Sequence, residues 1–325
     1  MNGFQISPLL QELMVYFGQL ECYEKCPEIL EKTIGLQVGH SQVHRVADTY
    51  GKELKKTIAT TRTLTPLKPT EVLYAEVDGS LLFTRDAGWK EVKVGRIFKS
   101  GDCIAPNEES SWIRHSQYLS YLESSKDFTP KMEGLIESYG NIKHRLVFIN
   151  DGAPWIKQWI EDAYPQAISI LDFWHALQYL YSFANSFFVD KVKSKKWVEK
   201  EKACQVNGMG LLLAGKVKQV IGHIKKMAPH NKEAKKTINY YQANSDRMDY
   251  KYYKTIGAGI IGSGAIEPAH RTVVQKRMKL SGQRWSIEGA QNMLNLRVTY
   301  MNEKWDNVIQ LTKTDFINQQ LRPTG

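Results

Sequence analysis

Apolar residues recur at helical spacing through the first sixty residues, and in CPEILEKTIGLQVGHSQVHRVADTYG they resolve into two short helices. The first starts near Pro27 and breaks at Gly35; the second can be capped by Ser41 and ended by Gly51. Val43, Val46, Ala47 and Tyr50 lie on one face of the second helix, which leaves Gln42, His44, Arg45 and Thr49 outward. TRTLTPLKPTE then reads as a linker, with residues 62–71 assigned to it. Beyond it the period changes. VLYAEVDGS, SLLFTRD and WKEVKVGRIF alternate as strands of an antiparallel meander, and Lys99 to Ser111 reads as a loop. Residues 129–139 look helical. HRLVFIN is a short buried strand, APWIKQWIEDAY a helix with Pro154 in its first turn, AISIL another strand, and FWHALQYLYSFANSFF an aromatic-rich helix.

Composition narrows the class. With 325 residues, 42% hydrophobic and 24% charged, the chain can bury a large core. No apolar stretch approaches a membrane span, and the opening MNGFQISPLLQELM lacks a secretory leader, so a cytoplasmic protein is expected, without a membrane partner. Of four cysteines, Cys22 and Cys26 form one CxxxC pair, while Cys103 and Cys204 stand alone; free thiols are expected rather than a zinc site. The net charge is +10, and residues 190–254 hold 16 Lys or Arg against 6 Asp or Glu, an excess equal to the whole. Such a run is either a solvated face or a surface for a polyanion.

Candidate chemistry centres on three carboxylates. Asp78 in YAEVDGS and Asp151 in LVFINDGAPW each follow a β-branched apolar run and precede glycine, and Glu267 in IGSGAIEPAHR opens a helix-patterned basic segment. Pro268 tolerates only a helix start, which puts His270 and Arg271 one turn onward on the glutamate's face, before a stripe of Val273, Val274, Arg277 and Met278. Oxygen ligands fixed on strand ends and a helix suit two divalent metals and in-line attack on a phosphodiester. Three strands followed by alternating helix and strand give a mixed α/β core in the order of the RNase H-like fold, where the first and fourth strands are neighbours; Asp78 and Asp151 would then meet at one edge. The bland alternatives are Asp-Gly turns for the aspartates, a favourable helix-dipole interaction for Glu267, and a core role for His175.

With VDGS at Asp78, NDGAPWI at Asp151, DFWH from Asp172 to His175, and GSGAIE at Glu267 followed by RMKLSGQRW through Trp285, the chain resembles the DDE transposases of the bacterial ISKra insertion-sequence family, related to Mutator-like transposases. The resemblance runs from the two short helices to about residue 305. It implies an RNase H-like catalytic domain interrupted by an all-helical insertion, and cleavage and joining of DNA at transposon ends. Asp78, Asp151 and Glu267 match the metal-binding triad, for two Mg²⁺ ions that Mn²⁺ can replace, and Asp172 with His175 matches the element after the second aspartate.

The division expected is a helix-turn-helix domain over 1–61, the linker, a catalytic core over 72–188, the basic helical insertion over 189–256, the glutamate helix and end of the core over 257–305, and a tail over 306–325. Gln42, His44, Arg45 and Thr49 would read bases of double-stranded DNA, both transposon end and target. Arg271, Lys276, Arg277, Lys279 and Arg284 would neutralise phosphates near the cut, and Trp285 would either stack on a base or seal the core. A homodimer or higher oligomer on DNA is expected, associated with the nucleoid. Two alternatives stay open: a structure-selective RNase H-like nuclease, and a truncated DNA-binding remnant without activity.

Overall fold

The computed structural model describes all residues except 1–3, 5, 59–65, 106–111, 123, 141, 200–206 and 321–325. Parts of the expected linker and of the Lys99–Ser111 loop, Cys204, and the end of the tail lie outside the described residues.

Its centre is a five-stranded mixed sheet. Strand β1 (Leu73–Thr84) pairs antiparallel with β2 (Gly88–Lys99); a two-stranded ribbon follows, β3 (Cys103–Ile104) with β4 (Trp112–Ile113); then β5 (Gln117–Tyr121) adds antiparallel to β2. After a helix over Ser125–Glu137, β6 (Leu146–Asn150) lies parallel to β1 and β7 (Ile168–Leu171) parallel to β6, which gives the order β5-β2-β1-β6-β7. Two segments read as separate strands, VLYAEVDGS and SLLFTRD, are therefore one. Asp78 lies inside β1 rather than at its end, and the hairpin turns at residues 85–87. The third antiparallel strand is Gln117–Tyr121, which the sequence pattern had not marked.

The helices, in chain order, are α1 (Pro8–Leu20), α2 (Cys26–Ile34), α3 (His40–Ile58), α4 (Ser125–Glu137), α5 (Pro154–Ala163), α6 (Phe173–Phe187), α7 (Lys191–Glu199), α8 (Gly208–Leu213), α9 (Val217–Met227), α10 (Lys232–Ala243), α11 (Tyr250–Tyr253), α12 (Ile266–Ala269), α13 (Lys276–Met278), α14 (Ile287–Met301) and α15 (Asp306–Gln320). Between α12 and α13 the helix is π-wound over His270–Gln275. Gly35 closes α2 at φ 69°, as expected, but Gly51 does not end α3, which continues to Ile58. At Gly51 an added Cβ would stand 2.4 Å from the Asn292 carbonyl oxygen, so this glycine serves a close helix crossing instead.

Side chains alternate across β1 and β2, and that alternation builds three cores. Leu73, Ala75 and Val77 face α4 and α5, with Phe128, Met132, Phe148 and Trp159. On the opposite face, Tyr74 and Phe98 join α6 and the helices up to α11. Further along that same face, Leu82, Val92 and Val94 join α1, α2, α3, α14 and the run from Ile266 to Met278. The polar residues Glu76, Asp78 and Arg96 stand between the second core and the third.

Candidate functional site: a carboxylate cluster between two cores

The parallel register between β1 and β6 ends at Glu76 and Ile149, so Asp78 and Asp151 each lie two positions beyond the last pair on neighbouring strands. Asp78 Oδ1 accepts from the Gly79 amide at 2.7 Å, and its half-exposed carboxylate turns Oδ2 to within 3.3 Å of His270 Nε2. His270 is 4% exposed, and neither ring nitrogen has a well-aligned hydrogen-bond partner among the described residues. Since His270 is one turn beyond Glu267, this approach sets the glutamate's helix against β1. Glu267 itself is exposed and paired with Arg271, Oε1 to Nη2 at 3.2 Å.

Asp151 is set by its neighbours and by the basic helical segment. Asn150 Oδ1 accepts from the Gly152 amide and from buried Arg247, while Asp151 Oδ1 accepts from the Ala153 amide at 3.0 Å and leads the chain into α5. Gly152 has φ 86° and is hemmed in by Leu171, Arg247 and Tyr240, so a side chain there would be both strained and crowded. The Tyr240 hydroxyl donates to the Asp151 carbonyl at 2.7 Å. Two residues of the basic helical segment thus hold the aspartate loop. His175 packs edge-on to Tyr179 and Tyr240, which are stacked 3.9 Å apart.

Asp172 is buried and fully engaged. Its Oδ1 caps α6 at the Trp174 amide, 2.8 Å, and its Oδ2 accepts from the Ser263 hydroxyl; the Phe173 amide donates to the Ile261 carbonyl. The aspartate clamps the glycine-rich loop that leads into Glu267 and acts here as a positioning residue.

Sequence reasoning missed Glu76. Two positions before Asp78 on the same face of β1, it has no exposed surface, and neither carboxyl oxygen has a hydrogen-bond partner among the described residues. Burial pushes its pKa up to about 8; Arg96 opposes the rise, while Asp172 and Asp78 add to it. Arg96, opposite Glu76 in β2, bonds to Ser116 and to the Ala265 carbonyl just before Glu267. The available signal was a lone glutamate inside the apolar run LYAEV. Among the described residues, no three His, Cys, Asp or Glu side chains are gathered as a set of metal ligands.

The remaining assignments divide. Val43, Val46, Ala47 and Tyr50 are buried as expected, and His44 and Arg45 are exposed on α3, but Gln42 and Thr49 are half-buried and the Thr49 hydroxyl is bonded to the Arg45 carbonyl. Arg271, Lys276 and Arg284 are exposed, and Lys279 bonds to Ser80 Oγ. Arg277 cannot serve as a phosphate contact: it is 1% exposed, donates from Nε to the Gly18 carbonyl, and lies over the Tyr23 and Trp285 rings. Trp285 is 7% exposed with its indole N–H on the Met278 carbonyl, so it is the core residue of its two readings and not a base-stacking one. Cys22, Cys26 and Cys103 are free thiols.

Lysines on α7, α9 and α10 are exposed, and their apolar faces enter the core. Among the described residues no helix is long and apolar enough to cross a membrane. No curated protein matches the chain. A family model does match, over residues 5–314, and on that span the chain belongs to the uncharacterised protein family UPF0236.

Proposed function

We propose that this protein is a metal-dependent DNA strand-processing enzyme, a DDE-type transposase of the ISKra kind built on an RNase H-like core. The observation that carries the reading is the register: Asp78 and Asp151 stand level on adjacent strands, and His270, on the Glu267 helix, touches Asp78. Three antiparallel strands followed by two parallel ones, with helices between, support the RNase H-like assignment.

The donor chemistry supports Mg²⁺: Asp78 and Asp151 each commit Oδ1 to a backbone amide, which leaves Asp151 Oδ2, and Asp78 Oδ2 beside His270, as oxygens for a hard cation. Asp78, Asp151 and Glu267 would hold the metal, which would supply an activated hydroxyl and charge stabilisation at the leaving oxygen. The chain's own residues do the rest. Asp172 and Arg96 fix the loop before Glu267; Tyr240 and Arg247 fix the loop of Asp151. Arg271, Lys276, Arg284 and the exposed lysines of α7, α9 and α10 offer contacts for duplex phosphates, and α3 with His44 and Arg45 offers a base-reading surface.

The test is nicking of DNA that carries the inverted repeats flanking the coding sequence, in Mg²⁺. Asp78→Asn, Asp151→Asn and Glu267→Gln should each abolish nicking and leave end binding nearly unchanged, because each removes an anionic oxygen without removing volume. Near wild-type nicking by any one of them removes that residue from the site. Joining of the nicked end to a second duplex separates a transposase from a nuclease.

A further inference from the structure

Along the stretch that leads into Glu267 lies a cleft of about 920 Å³, lined by Trp112, Trp174, Arg96, Ile260, Ala265 and Pro268 among others. Its volume falls in the range of about 300–1,000 Å³ usual for small-molecule sites. Two of the chain's eight tryptophans line it while staying more than half exposed, Trp112 at 52% and Trp174 at 56%. They come from unconnected elements, the β3–β4 ribbon and the first turn of α6.

The Trp174 indole is held in place from several sides. Trp174 follows Asp172, whose carboxylate holds its amide, and Gly262 comes so close that an added Cβ would stand 2.5 Å from the ring. Phe173 meets it edge-on at 5.2 Å. Large apolar surface fixed in this way but left open to solvent marks a binding face. The floor is chemically mixed: Arg96 is buried, and Ala265 and Pro268 flank Glu267 in sequence, so the cleft borders the segment that carries this glutamate.

We propose that this cleft receives an unstacked nucleobase, with the Trp112 and Trp174 indoles as its stacking surfaces. The inference rests on the strand-processing reading of the carboxylates. It goes further by naming the group recognised next to the reacting phosphate. Every base offers a π-face, so a two-tryptophan site binds with little sequence preference, and the net charge of +10 draws in the attached strand. A base can enter only after leaving its stack, which favours frayed or single-stranded DNA at the point of cutting.

The experiment titrates the full chain, in chelator so that no strand is cut, with a short single-stranded oligonucleotide carrying 2-aminopurine. Fluorescence should be quenched on binding, and Trp112→Ala and Trp174→Ala should each weaken binding about tenfold. The two variants alter independent elements, so misfolding of one leaves the other as the test, with Trp174→Phe restoring most of the affinity. The same loss on a fully abasic strand, or no loss in a folded variant, overturns the proposal. Nicking is scored separately in Mg²⁺. If quenching depends on both tryptophans while nicking is absent, the base site stands and the catalytic reading fails; nicking with unaltered binding in both variants gives the reverse.

Discussion

A carboxyl group with no solvent and no hydrogen-bond partner favours its neutral form, and among the described residues Glu76, in the middle of the central hairpin, has neither. Its folded pKa of about 8 lies above the ordinary 4.5 that the unfolded chain would show. Between those values the folded protein holds the extra proton, so stability is full at acid pH and is lost as pH rises toward the folded value. In chelator, the melting temperature of the wild type should fall relative to that of Glu76→Gln from about pH 5 to about pH 8. Parallel melting curves across that range would show that Glu76 is solvated. Such a residue is hard to see in sequence, because a glutamate in LYAEVD reads as the polar half of an alternating strand; its burial is set by tertiary packing on that face. Arg277 departs from its expected phosphate contact for the opposite reason, and Trp285 takes the core one of its two readings. Both lie in a basic segment after Glu267, where surface exposure is the default, yet the Tyr23 ring and the Gly18 carbonyl enclose the guanidinium.

At the scale of elements, α14 decides how the ends of the chain meet. It is buried from Ala290 through Thr299 and carries amides that finish other elements' hydrogen bonds: Gln291 to Leu122 and Ser120, Asn292 to Asp48, and Asn295 to Gly51. Just past its end, Asn302 pairs with both backbone groups of Tyr118 and covers the edge of β5. Gly51 lets α3 reach this helix. Gly51→Ala should therefore destabilise the fold by roughly 1–3 kcal/mol in urea unfolding, despite alanine's better helix propensity. Gly134→Ala in α4, where nothing lies within 4 Å of the new Cβ, should be neutral or stabilising by about 0.5–1 kcal/mol. Equal effects would mean that the α3–α14 crossing adjusts freely. Helices α2 to α6, and the strands before and after Asp151, were legible from periodicity because their apolar faces are local, whereas α15 lies in what was expected to be a tail. β5 and the unbroken length of β1 were not, since Gly79-Ser80 resembles a turn and only pairing with β2 keeps it extended.

For the molecule as a whole, the N-terminal helices share a core with the Glu267 helix and α14, although the linker-like stretch before β1 suggested a detached unit. Two buried arginines join them. Arg277 and Arg297 donate to Gly18 and Gln19 in the last turn of α1, where the helix dipole presents partial negative charge, and Arg297 also reaches the Thr272 carbonyl inside the π-wound turn. Burial lowers the pKa of both, that of Arg297 to about 10. A cation placed there makes sense only if α1 and the helix of Glu267 are fixed against each other, since alone it would be stranded in apolar surroundings. Loosening of the N-terminal helices would then be felt at His270 and Asp78. We expect unfolding of the wild type to be one transition, with far-ultraviolet circular dichroism and tryptophan fluorescence coincident in urea. Arg277→Met, which keeps the apolar stem but removes the donors, should cost about 1–3 kcal/mol and shift both probes together. An early transition seen by only one probe in the wild type would instead make the N-terminal helices an independent domain, and the arginine contacts a docking interface between two separately stable parts.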